Sequence, residues 1–83
     1  MLNVEHILFL YEVKTMINIW PFEYCGKVKL VDTDGNIFIG EAEDITDASD
    51  RSEYEKKENG ITLNVDGRFI DFYQSEIASI EKL

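Results

Sequence analysis

Cysteine is almost missing from this sequence: Cys25 stands alone, so no internal disulfide can form and a cysteine-based metal site is disfavoured. A lone thiol fits a reducing cytosol. Histidine is equally scarce, because His6 is the only one and it lies near the start of the chain, far from Cys25. Nucleophile and base pairs for catalysis are therefore hard to assemble. Basic side chains are few, eight against seventeen acidic ones, and the resulting formal charge of −9 repels phosphate backbones. Sequence-independent nucleic-acid binding is disfavoured and DNA is not an expected partner. Long apolar runs are lacking too: Ile7 to Tyr11 is far too short to span a bilayer, and Glu5 precedes it where an export signal needs basic residues. These absences point to a cytoplasmic protein with no membrane partner, no cofactor and no enzymatic activity.

What is present is enough apolar material for one small core. Of 83 residues, 45% are apolar and 12% aromatic, which suits one small globular domain. A chain of this length buries only about 60% of its unfolded surface, so self-association is the natural supplement to its stability. Residues 1–15 read as an N-terminal extension, helical if Val4, Ile7, Leu8 and Tyr11 keep helical spacing behind Asn3, extended if ILFLYEV does not. Met16 is a second candidate start, and residues 16–83 then form the domain.

Within that domain, Pro21 opens a brief helical turn and Gly26 ends it. GKVKLV alternates Lys27 and Lys29 against Val28 and Leu30, as a half-buried strand does. NIFIGEAEDI sets Phe38, Gly40 and Ala42 on one face and Ile37, Ile39 and Glu41 on the other, with Gly40 marking a bend or bulge. VDTDG is then the turn between two strands. It brings its glycine two positions too early for a calcium loop of the EF-hand type.

Thr46 to Gly60 is polar and acidic and reads as a surface loop. Over half of the net charge sits between Glu41 and Glu58, where eight acids face Arg51, Lys56 and Lys57. Asp44, Asp47, Asp50 and Glu53 recur every third residue, and a divalent cation regulating the loop is one reading of that spacing; a solvated acidic loop without metal is the other. ITLNV and RFIDFY flank Asp66-Gly67, a pair typical of a type I′ hairpin, and SEIASIEKL supplies a last short strand. The expected fold is mainly β: a small five-stranded antiparallel barrel with a short N-terminal helix. Val28, Leu30, Phe38, Ile61, Leu63, Ile70, Phe72, Ile77 and Ile80 are expected inside.

On GKVKLVDTDGNIFIGEAEDI and IDFYQSEIASIEKL the chain resembles the Sm/LSm family of small β-barrels, and among these the short acidic bacterial LSM-domain proteins. The resemblance spans Trp20 to Leu83. It implies oligomers, often rings, in which the fourth strand of one subunit pairs with the fifth of the next. Phe69, Ile70, Phe72, Tyr73, Ile77 and Ile80 are the interface candidates, although aromatics on an edge strand can equally fill the subunit's own core. It also implies single-stranded RNA binding by an acidic residue and an asparagine in the loop after the second strand, with an Arg-Gly pair before the last. Asp47 and Asp50 occupy the loop positions here, and Tyr73 and Gln74 the others. Tyr73 in place of the cation removes a phosphate contact while offering a ring on which a base can stack. The resulting expectation is a non-enzymatic interaction module that oligomerises and engages a protein or RNA partner. A true RNA-binding ring and a cation-regulated domain are its alternatives.

Overall fold

The computed structural model describes residues 16–83. The helix expected within residues 1–15 lies outside them. The described chain opens with a 3₁₀ turn at Trp20–Phe22, with Pro21 inside it, in place of a full helix. Five strands follow: β1 Gly26–Asp32, β2 Ile37–Thr46, β3 Gly60–Val65, β4 Arg68–Tyr73 and β5 Ile77–Lys82. Together they form one antiparallel sheet in the order β4-β3-β2-β1-β5.

Both hairpin turns follow from local chemistry. The Asp32 carboxylate accepts the amides of Asp34 (3.0 Å) and Asn36 (2.8 Å), which closes the β1–β2 turn. At the β3–β4 turn Asp66 and Gly67 both have positive φ, 53° and 84°, as type I′ geometry requires.

Two irregularities keep apolar residues on the inner face. Strict alternation through β2 would send Asp44 inward after Ala42; a register shift between Ala42 and Ile45 instead sets Ile45 opposite Ile61. A second shift, where β5 meets Asp32, lets Ile77 and Ile80 face inward although they stand three residues apart. Gly40 has a different role from the bend expected of it. A Cβ there would press into the Asn64 carbonyl and the Val65 side chain, so Gly40 marks a close approach of backbones and the shift lies just beyond it.

The core consists of Ile19, Val28, Leu30, Ala42, Ile61, Leu63, Phe72 and Ile77, with Phe38, Ile70 and Ile80 packed against it half-buried. Phe38 meets Phe72 edge-on, ring centroids 4.9 Å apart. Ile19 and Ala42 are the additions to the expected interior.

The expected closure into a barrel does not occur, because β4 and β5 share no hydrogen-bonded ladder. The chain is committed to β1 before β5 begins. Thr33 donates its amide to the Glu76 carbonyl (2.9 Å), and Asp32 is already opposite Ile77. The Gln74 amide donates to the Ile17 carbonyl, the Lys82 ammonium lies 5.9 Å from the Phe22 ring, and Ile19 between those points is fully buried.

Candidate functional site

The β2–β3 connection crosses the outer face of the sheet and is fastened there by a cation. Alternation in the β3–β4 ladder pairs Gly60 with Tyr73 and Thr62 with Asp71 on the face away from the core. Over this face lies Arg51, whose side chain is only 4% exposed. Its Nη1 donates to Asp71 Oδ2 at 2.6 Å, its Nη2 to Asp71 Oδ1 at 3.4 Å and its Nε to the Glu58 carbonyl at 3.0 Å. Glu55 Oε2 adds a longer contact at 3.4 Å. The guanidinium carbon stands 4.7 Å from the centre of the Tyr73 ring, a cation–π distance.

Gly60 makes this arrangement possible. A Cβ at Gly60 would collide with Arg51 Nη2 and with Asp71 Oδ1, 2.6 Å away, so the missing side chain is the floor of the slot. Hydrogen bonding to Asp71 holds the guanidinium above its already high ordinary pKa, and it stays charged at every accessible pH despite its burial.

Around the slot the two loop lysines and Glu58 are engaged as well. Lys57 donates to the carbonyls of Arg51 (2.6 Å) and Ser52 (2.8 Å). Lys56 reaches Glu58 Oε2 and Ser75 Oγ, both at 3.0 Å, and lies 5.5 Å from the Tyr73 ring. Glu58 also accepts the Ser75 amide. Burial pushes the Glu58 carboxyl up, but these hydrogen bonds and the Lys56 charge outweigh it and leave it below the ordinary range.

The sequence-derived RNA candidates gather at this end of the sheet only in part. Asp47 turns its carboxylate on its own chain, accepting the Ser49 amide at 2.9 Å and hydroxyl at 2.7 Å as the cap of the 3₁₀ turn Ala48–Asp50. Those bonds lower its pKa. Asp50 is exposed. Asn59 joins the two segments, because its side chain accepts the Ala48 amide (2.7 Å) and its carbonyl accepts the Gln74 amide (2.8 Å). Gln74 spends its own amide group on Ile17, and Tyr73 is half-buried with two cations against its ring.

The interface candidates divide by strand parity. Phe72 and Ile77 are buried in the core, Ile70 and Ile80 are half-buried against it, and Phe69 is 69% exposed on the outer side of β4. Arg51, Gly60 and Asp71 were not singled out by pattern. The available signal was a lone arginine in a run of acids, which reads as a solvated charge unless the fold supplies a partner twenty residues away.

Among the described residues no three Asp, Glu, His or Cys side chains come together as a metal site, and no helix is long and apolar enough to cross a membrane. Comparisons with protein-family models, with curated proteins and with solved structures find no match for this chain.

Proposed function

We propose that the chain is a non-enzymatic, Sm-like interaction module that assembles through its two sheet edges and engages a protein partner. The observation that carries this reading is the strand order, which leaves β4 and β5 each with one side unpaired among the described residues. An unpaired edge presents a row of donors and acceptors that another strand can complete. The two-residue turn makes Val65 and Arg68 a hydrogen-bonded pair, so the groups of Ile70 and Phe72 also face β3 while those of Phe69 and Asp71 face outward. On β5 the Leu83 amide donates to the Lys27 carbonyl, which by the same alternation turns the backbone N–H and C=O groups of Ile80 and Lys82 toward the free edge. The two edges are thus complementary in length and in free groups. Pairing β4 of one copy with β5 of the next supplements a small core.

A protein partner is favoured over RNA because the loop's cations are already engaged. Arg51, Lys56 and Lys57 are held by carboxylates and carbonyls of the same loop and of β4, and exposed Asp50 adds negative charge where a phosphate would approach. Light scattering coupled to size exclusion tests assembly. A discrete oligomer is expected, and Phe69→Pro, which removes one outward amide from an edge strand that tolerates proline, shifts it toward monomer. A strictly monomeric wild type removes the edge-pairing reading. Salt-dependent binding of fluorescent oligo-uridine at micromolar protein would replace the protein partner by RNA.

A further inference from the structure

The Arg51 contacts describe a receptor as well as a structural tie. Gly60 supplies an open floor, Asp71 a carboxylate that takes two guanidinium nitrogens, Glu58 a carbonyl for the third, and Tyr73 an aromatic face. This set matches a flat fork of five N–H donors and does not match a compact ammonium. Such a set suits a guanidinium better than an ammonium.

Only one side chain of this tie is buried. Between Asp47 and Asn59 Arg51 alone is buried; Asp47, Ala48, Glu58 and Asn59 are half-buried and the others are exposed. No apolar anchor holds this stretch to the sheet, so lifting it exchanges one set of polar contacts for water. Segments without buried apolar contacts open at low free-energy cost.

We propose that the slot formed by Gly60, Asp71, Tyr73 and the Glu58 carbonyl is an arginine-recognition site, filled in the free protein by Arg51 and open to an arginine of a basic protein partner when the part of the loop ahead of Glu58 lifts. This rests on the interaction-module reading only for its partner; the slot itself stands on the contacts above. The loop's own excess of acids, eight against three bases from Glu41 to Glu58, concentrates basic segments around it. Arg51 acts as an internal competitor. A partner must outbid it, and affinity for the occupied protein falls by the fraction of time the slot stands open.

Chemical rescue provides the test. In Arg51→Ala, millimolar methylguanidinium should raise the melting temperature saturably and recover most of the loss, while methylammonium should not; adding Asp71→Asn should abolish the rescue. A short acetylated peptide with one arginine should bind Arg51→Ala, bind the wild type about tenfold or more weakly, and lose binding when arginine becomes citrulline or lysine. Equal effects of methylguanidinium and methylammonium would overturn the slot's specificity, and no detectable peptide binding to wild type at millimolar concentration would overturn the exchange. If Arg51→Ala does not fold alone, Arg51→Lys serves as the background with the same readouts. A monomeric result in light scattering would sink edge assembly and leave the rescue unaffected, so the two failures are distinguishable.

Discussion

The inner face of the sheet and the outer surface beneath the acidic loop are held by opposite means. Inside, eight apolar side chains are buried, and each is supported by several others. Outside, the connection from Asp47 to Asn59 has one buried side chain, Arg51, and its other ties are hydrogen bonds and ion pairs of partly or fully exposed polar groups. A distributed apolar core loses part of its stability with each deletion and unfolds as a unit. A single polar anchor is lost all at once, but only locally.

Leu63→Ala should make the largest difference, because Leu63 is fully buried and central to the ladder, opposite Ala42 on β2 and Ile70 on β4. A loss of about 2–5 kcal/mol is expected, a large share of the stability of a domain this small. Urea denaturation should show one transition at a lower midpoint, with core and loop amides losing hydrogen-exchange protection together.

Arg51→Ala comes next, at about 1–3 kcal/mol, since the Asp71 carboxylate and the Glu58 carbonyl lose a charged donor but can rehydrate once the loop lifts. Hydrogen exchange should separate the regions here. The amides of Ala48, Ser75 and Gln74, bonded to Asn59 or Glu58, should exchange faster while those of Val28 and Leu63 keep most of their protection. Uniform loss of protection across the sheet would mean that the loop and the core are one cooperative unit.

That contrast also explains what the sequence makes legible. Strand positions show as a period of two, and Val28, Leu30, Ile61, Leu63 and Phe72 can be placed inside from alternation alone. Closure into a barrel is not in the alternation, since it depends on where β5 goes after the turn Gln74–Glu76, which is fixed by the contact between Thr33 and Glu76. Ile19 escapes because a single apolar residue ahead of a turn has no period. Arg51 escapes for a deeper reason: its burial requires a glycine nine residues on and a carboxylate twenty residues on, brought together by a ladder register and not by spacing.

Acid should loosen the outer region before the inner one. Glu58 has a folded-state pKa below its ordinary value, so it stabilises the folded loop fully above that ordinary value, and the contribution is lost as pH falls through the lower, folded-state pKa. Protonation would weaken its bonds to the Ser75 amide and Lys56. As pH falls below the ordinary carboxylate range the Ser75 amide should lose protection while Leu63 retains it. Asp32 and Asp47 are lowered in the same direction, so Glu58→Gln is the control that assigns the effect. In that variant Ser75 protection should be weaker at neutral pH and nearly flat on acidification.

The smallest expected effect is the one that isolates the anchor. Tyr54 is three residues from Arg51 and is the loop's only aromatic side chain, so a reading from composition would make it the hydrophobic plug of the segment. It is 92% exposed, and no hydrogen bond or ring contact ties it to the sheet. Removing an exposed ring away from packed features changes stability by no more than about 0.5 kcal/mol. Tyr54→Ser should therefore leave the urea midpoint and the exchange of Ala48 and Gln74 unchanged, whereas Arg51→Ala changes the latter. If Tyr54→Ser instead released the loop amides, the attachment would be apolar and shared like that of the core, and the distinction between the two faces of the sheet would fail. If it leaves them in place, the loop is held against the sheet by polar contacts centred on the guanidinium in the Gly60 slot, without an apolar plug.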